Sequence, residues 1–191
     1  MSQGKTDSIA VIGHTRGIGK AIVDLYKGKG FEVLGMSRSN GYDMTTEQEK
    51  IVDAVKNCAL VVINAYAGRS QLNLLKDMYG RYHDDKKKIA VITSTSGTPE
   101  GMDEDFTDVD YQQYCEDKKE LIGYIRELQE DLLPRAMSVY DVCPDVVDTE
   151  MTKGLWTTLP KLAPVEVAQA VSYCFESTFN INRMVIQKNA G

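Results

Sequence analysis

Six short apolar runs punctuate the chain: IAVIG at 9–13, FEVLGM at 31–36, LVVIN at 60–64, IAVITS at 89–94, SVYDVC at 138–143 and RMVIQ at 183–187. Their shortness and their wealth of Val and Ile predict strands buried on both faces. Between most of them, apolar positions recur at helical spacing. Ile18, Ile22 and Leu25 share one face, and Ile51, Val52 and Val55 another. A long stripe over 109–133 runs through Tyr111, Tyr114, Leu121, Ile122, Ile125, Leu128 and Leu132. A last one joins Val167, Ala168, Val171 and Phe175. Strands alternating with helices predict an α/β domain: a parallel sheet with helices on both faces. No repeat, low-complexity tract or linker breaks the alternation, so one domain over 1–191 is expected.

Composition excludes several function classes. A formal net charge of −6 makes nucleic acid a poor partner. KKK at 86–88 is the only basic run, and its place before a strand reads as a solvated turn. The apolar runs are too short to cross a bilayer, and MSQGKTDS lacks the apolar stretch of a secretion signal, so no membrane partner is expected. Cys58, Cys115, Cys143 and Cys174 form no CxxC pair. They read as free buried thiols of a cytoplasmic protein, not as a zinc site. His14 and His83 are the only histidines, so no metal site is expected.

Two local patterns carry chemistry. Three glycines, Gly13, Gly17 and Gly19, stand where the first strand should end and the first helix begin. Such a turn lets backbone approach a bound group, and the helix terminus offers unpaired N–H groups and partial positive charge, a site for pyrophosphate. A tight turn without ligand has the same appearance. Farther on, Lys118 interrupts the apolar stripe between Tyr114 and Ile122. Burying a lysine is costly without a partner. Tyr114 lies one helical turn away, on the same face. A nearby ammonium favours the phenolate, so the tyrosine pKa is expected below its usual value of about 10, fit for general acid/base work. A lysine snorkelling at a core edge gives the same spacing.

IGHTRGIG at 12–19 together with YCEDK at 114–118 resembles the short-chain dehydrogenase/reductase family, whose fingerprints are TGxxxGIG and YxxxK; Ile12 stands where the family usually has Thr. The resemblance spans nearly the whole chain. It implies a Rossmann-type doubly wound parallel sheet. SRSNGYDM at 37–44 leaves no room for a crossover helix, so the family's third strand is expected to be reduced or absent. About six strands remain, with the second at one edge.

Site residues follow from the resemblance. AVITSTSG at 90–97 resembles the strand that ends in the catalytic serine, with Ser94 the matching position and Ser96 the fallback. Tyr114 and Lys118 complete the core set, Lys118 also binding cofactor. The family's catalytic Asn is assigned to Asn73, although the segment between Gly68 and Ile89 is short. The cofactor cradle is Gly13, His14, Thr15, Arg16, Gly17, Ile18 and Gly19, with His14 near the adenosine phosphates. NAYAG at 64–68 resembles the NNAG element with one residue inserted, which nominates Asn64 and Ala65. CPDVVDTEM at 143–151 resembles the PG-x-x-x-T-x-M segment and nominates Pro144, Val147 and Thr149, with Asp145 replacing the glycine. Asp43 and Met44 match the position beside the adenine.

At the end of the second strand, NAD binders hold the ribose with an acid. This chain has Ser37 and Arg38 there, and Arg16 precedes Gly17. A hydroxyl and two guanidiniums suit a 2′-phosphate, so NADP(H) is the expected cofactor ahead of NAD(H). Plain surface arginines are the alternative. The acidic stretch EGMDEDFTDVD at 100–110 lacks calcium-loop spacing and reads as a solvated cap. Trp156 and Leu155 line the pocket or pack the lid. The expectation is an NADP(H)-dependent oxidoreductase acting on a small carbonyl or alcohol, a homodimer being possible through the tyrosine helix and the one before it. A catalytically silent NADP(H)-binding regulator is the alternative.

Overall fold

A computed structural model describes residues 7–99, 109–130 and 136–189. Most of the acidic stretch at 100–110, and Leu132 of the long stripe, lie outside them. Six parallel strands form one sheet: β1 (Ser8–Ile12), β2 (Glu32–Met36), β3 (Leu60–Ile63), β4 (Lys88–Ile92), β5 (Ser138–Pro144) and β6 (Arg183–Ile186). Their order is β2-β1-β3-β4-β5-β6. β2 is therefore an edge, and among the described residues no strand lies beyond it. Between β2 and β3 the chain makes only two short turns and the helix α2 (Gln48–Ala54). That length crosses back over β1 but carries no extra strand.

Side-chain alternation divides the core into two layers. Ala10, Ile12, Val61, Ile63, Ile89 and Val91 face one side, against Ile51 of α2, Leu74 and Met78 of α3 (Ser70–Tyr82), and Leu121 and Ile125 of α4 (Val109–Glu130). Ile9, Val11, Val62, Ala90, Ile92 and Val142 face the other, against Ile22 of α1 (Gly17–Gly28) and Val167 and Val171 of α5 (Pro164–Glu176). Pro164 opens α5, where a missing N–H costs nothing. Among the described residues no helix is long and apolar enough to cross a membrane.

The basic run departs from expectation. Lys87 is buried, and its ammonium donates to the carbonyls of Val55 (3.1 Å), Lys56 (2.8 Å) and Cys58 (2.8 Å). It closes the chain end that follows α2, a place where carbonyls lack intrahelical donors. The middle lysine is thus a cap, not a solvated turn.

The β1–α1 bend fixes how the helix meets the sheet. At Gly19 a Cβ would lie 1.9 Å from the carbonyl oxygen of Gly13. That oxygen also accepts a hydrogen bond from the Asn64 side chain at 3.0 Å. Gly19→Ala should therefore push α1 off the bend and lower stability by about 3 kcal/mol. An unchanged urea-unfolding midpoint would refute this close approach.

Candidate active site

The sheet order reverses at β1, because β2 lies on one side of it and β3 on the other. In open parallel sheets a crevice forms at such a point, beyond the carboxyl ends of the strands. Here it is a cleft of about 1120 Å³. Its rim begins at the β1–α1 bend. Gly13 (φ 88°) and Gly17 (φ 53°) adopt left-handed backbone there, which glycine reaches without steric cost. A Cβ on Gly13 would also meet the Ala65 backbone nitrogen at 2.7 Å. No side chain caps α1, and its first turn holds no acid. Its leading N–H groups remain open to an anion.

The floor is built by two helices and one strand end. Gln71 of α3 is 2% exposed and Lys118 of α4 is 3% exposed. The Gln71 amide nitrogen donates to the carbonyls of Ile63 (3.1 Å) and Ile92 (3.0 Å), and its oxygen accepts from Lys118 Nζ at 2.8 Å. Lys118 Nζ donates also to the Ile92 carbonyl at 3.0 Å. The ammonium lies 5.5 Å from the Tyr114 ring centroid. Beside the phenol stands Ser94, whose hydroxyl accepts from the Ser96 backbone N–H at 3.2 Å.

Solved structures with this architecture are numerous. A short chain dehydrogenase from Burkholderia cenocepacia J2315, in complex with NADP, superposes with a TM-score of 0.77 at 17% identity, over 96% of this chain and 89% of that one. The 3-alpha-hydroxysteroid dehydrogenase from Pseudomonas sp. B-0831, complexed with NADH, gives 0.76 at 19% identity over 94% of each chain. A short-chain dehydrogenase/reductase from Brucella melitensis gives 0.72 at 17% identity, again over 94% of each. The chain has the short-chain dehydrogenase/reductase fold. No protein-family model and no curated protein matches its sequence.

Within the short-chain dehydrogenase/reductase fold, the cleft gathers most of the residues nominated from sequence. Gly13, Thr15, Arg16, Gly17 and Ile18 line it from the bend; Ser37, Arg38, Asp43 and Met44 from beyond β2. Asn64 and Ala65 follow β3, Ser94 and Ser96 follow β4, and Pro144, Val147 and Thr149 follow β5. Tyr114 and Lys118 close the floor. Asp43 accepts from the Thr45 backbone (2.9 Å) and hydroxyl (2.7 Å), and those bonds hold its carboxyl below the usual range. Asp145, in the place of the family glycine, accepts from the Thr95 hydroxyl at 3.0 Å.

Three nominations are placed elsewhere. Asn73 is exposed on the outer face of α3, because two residues along a helix turn a side chain by most of a half-circle. Gln71 occupies the inward position instead. His14 packs its ring against Gly35, where a Cβ would meet it at 2.5 Å, so it leaves the cleft for the far side of the bend. Gly19 is buried beneath the bend, with the Gly13 carbonyl where its Cβ would lie.

The electrostatics also differ from expectation. Burial pushes Tyr114 up to about 12, and the group that opposes this is the Ser94 hydroxyl, not the lysine. Lys118 spends its hydrogen bonds on Gln71 and Ile92. Burial pushes it down to about 7, against the pull of Asp141, Cys143 and Asp117. Asp141 on β5 is itself 3% exposed and accepts from the Thr93 hydroxyl, with Arg183 Nε 3.3 Å away. Burial raises its carboxyl.

Gln71 was readable by the argument that found Lys118. Positions 71, 74, 75, 78 and 82 form the buried face of α3, and Gln71 is the amide in that apolar row. Gln71 on α3 and Lys118 on α4 are polar residues on otherwise apolar stripes, and the two meet. Tyr66, the central residue of NAYAG, also lines the cleft.

Because Lys118 is depressed, the unfolded chain binds an extra proton from about pH 7 to 10.5. Stability contributed by this group therefore rises with pH across that window. Lys118→Met lacks the contribution. The wild-type urea midpoint, relative to this variant, should climb between pH 7 and pH 10. A constant difference would mean that the ammonium is not paying for its burial.

Proposed function

We propose that the chain is an NADP(H)-dependent oxidoreductase of the short-chain dehydrogenase/reductase family that reduces a carbonyl compound to an alcohol. The observation that carries this reading is the convergence of Ser94, Tyr114 and Lys118 on one cleft floor, reached from an uncapped helix terminus. A pure dinucleotide binder needs the terminus but not the hydroxyl pair.

The residues present fit a dinucleotide. The open N–H groups of α1 and the close-approach glycines suit its pyrophosphate. Ser37, Arg38 and Arg16 suit a 2′-phosphate, since the single carboxylate nearby, Asp43, is engaged with Thr45. Lys118 and Asn64 line the stretch toward the nicotinamide half. When bound, the cofactor supplies hydride to the carbonyl carbon.

The chain's own residues handle the oxygen. Ser94 accepts from the Ser96 backbone and stands in hydrogen-bond reach of Tyr114, so the two hydroxyls can meet the same substrate oxygen. Tyr114, pushed up to about 12, is a protonated phenol at neutral pH. It is therefore poised to give a proton to the developing alkoxide, which favours the reductive direction. Gln71 ties Lys118 to the strand ends, so the ammonium keeps a fixed place below the phenol.

Tyr114→Phe should lower the turnover of NADPH with a carbonyl substrate by on the order of a thousandfold. NADPH binding, followed by its fluorescence, should persist. Retained turnover would remove the phenol from the chemistry. NADPH binding without oxidation by any aldehyde, ketone, quinone or pterin would favour the silent regulator. Arg38→Ala should raise the Kd for NADPH by about tenfold or more and that for NADH much less. Equal losses for both would overturn the 2′-phosphate assignment.

A further inference from the structure

Resting on the NADP(H) reading, we infer that Asn40 makes the cleft select NADPH over NADH, by folding the chain beyond β2 so that Ser37 and Arg38 receive the 2′-phosphate. Its side-chain amide is bonded at both ends. Oδ1 accepts from the Ser37 backbone N–H at 2.8 Å and, more weakly, from the Ser37 hydroxyl at 3.3 Å. Nδ2 donates to the Gly35 carbonyl, five residues back, at 2.8 Å. That carbonyl lies on the open edge of the sheet. The Met36 carbonyl faces β1, where it accepts from the Gly13 N–H at 2.8 Å, and carbonyls of successive strand residues point opposite ways. Asn40 therefore laces the turn that follows β2 to the outer side of the strand itself.

The rest of that turn is closed by backbone. The Ser37 carbonyl accepts from the N–H groups of Asn40 (3.2 Å) and Tyr42 (3.0 Å), and the Arg38 carbonyl from that of Gly41 (3.2 Å). Gly41 leaves the turn in left-handed backbone, at φ 81°, and Lys50 Nζ holds its carbonyl at 2.7 Å. Ser37 and Arg38 line the cleft and Asn40 does not. Asn40 is a positioning residue: it acts through the two that face the ligand.

Only an amide of this size fits both partners. Ser37 N–H needs an acceptor and the Gly35 carbonyl needs a donor. A carboxylate of the same shape accepts only, and would set its second oxygen against the Gly35 oxygen. It would also add negative charge against Ser37, on the loop that receives the phosphate. Asp43 already draws on the Arg38 charge, and a second acid would compete for it. A 2′-phosphate is repelled there, whereas the uncharged 2′-hydroxyl of NADH is not.

The test titrates the full chain with NADPH and with NADH, followed by cofactor fluorescence and without turnover. Asn40→Ala should raise the Kd for NADPH by about fivefold and leave that for NADH within about twofold. Asn40→Asp should raise the Kd for NADPH by about fiftyfold, again sparing NADH. The gap between the two variants should narrow as NaCl rises from about 50 mM to about 500 mM, because only the added charge is screened. NADH binding reports whether each variant keeps its cleft. With a wild type that prefers NADPH, an unchanged NADPH Kd in Asn40→Ala overturns the inference and leaves the 2′-phosphate assignment standing. Equal losses for NADPH and NADH do the same. A wild type that binds both cofactors alike overturns the assignment and the inference together.

Discussion

A buried ammonium governs this molecule. Lys118 cannot be placed at 3% exposure unless acceptors are arranged around it. The Gln71 side chain and the Ile92 carbonyl provide that arrangement, and Gln71 is in turn fastened to the ends of β3 and β4. One amide therefore couples α3, α4 and two neighbouring strands at the point where the cleft floor is needed. The apolar layers would pack with other residues at these positions. The cleft floor would then lose the amine held beside the phenol.

The same constraint explains the reach of the sequence. The number of strands and the edge position of β2 were legible, because the apolar runs count the strands and the short segment after the second, set against the family pattern, leaves no room for another beyond it. Lys118 was legible because a charged residue on an apolar stripe is a visible anomaly. Gln71 offered the same anomaly in a shorter helix, but a family template directed attention to Asn73, two residues further on. Position on a helix face decides which side chain enters a site, and the residue type alone does not.

His14 and Lys87 were misread for a different reason. Both side chains are polar; His14 sits in a loop that reads as a cofactor cradle, and Lys87 in a basic run that reads as a solvated turn. Their surroundings are set by chain segments distant in sequence: Gly35 makes space for the His14 ring, and three carbonyls after α2 receive the Lys87 ammonium. No local pattern encodes a neighbour of that kind. The Tyr114 reading failed on the same ground. One-turn proximity to a lysine was visible, but not that the lysine's hydrogen bonds go to other partners and that burial outweighs its charge.

Economy of length has a mechanical side. β2 and β6 are the two edges of the sheet, and among the described residues no further strand pairs with either; the Asn40 amide donates to the Gly35 carbonyl on β2. Margins of this sort recruit foreign strands when they are long, flat and greasy. Here they span five and four residues and carry Glu32 and Arg183 at their beginnings. Brevity and charge are the ordinary safeguards against such recruitment, and both edges of this sheet carry both.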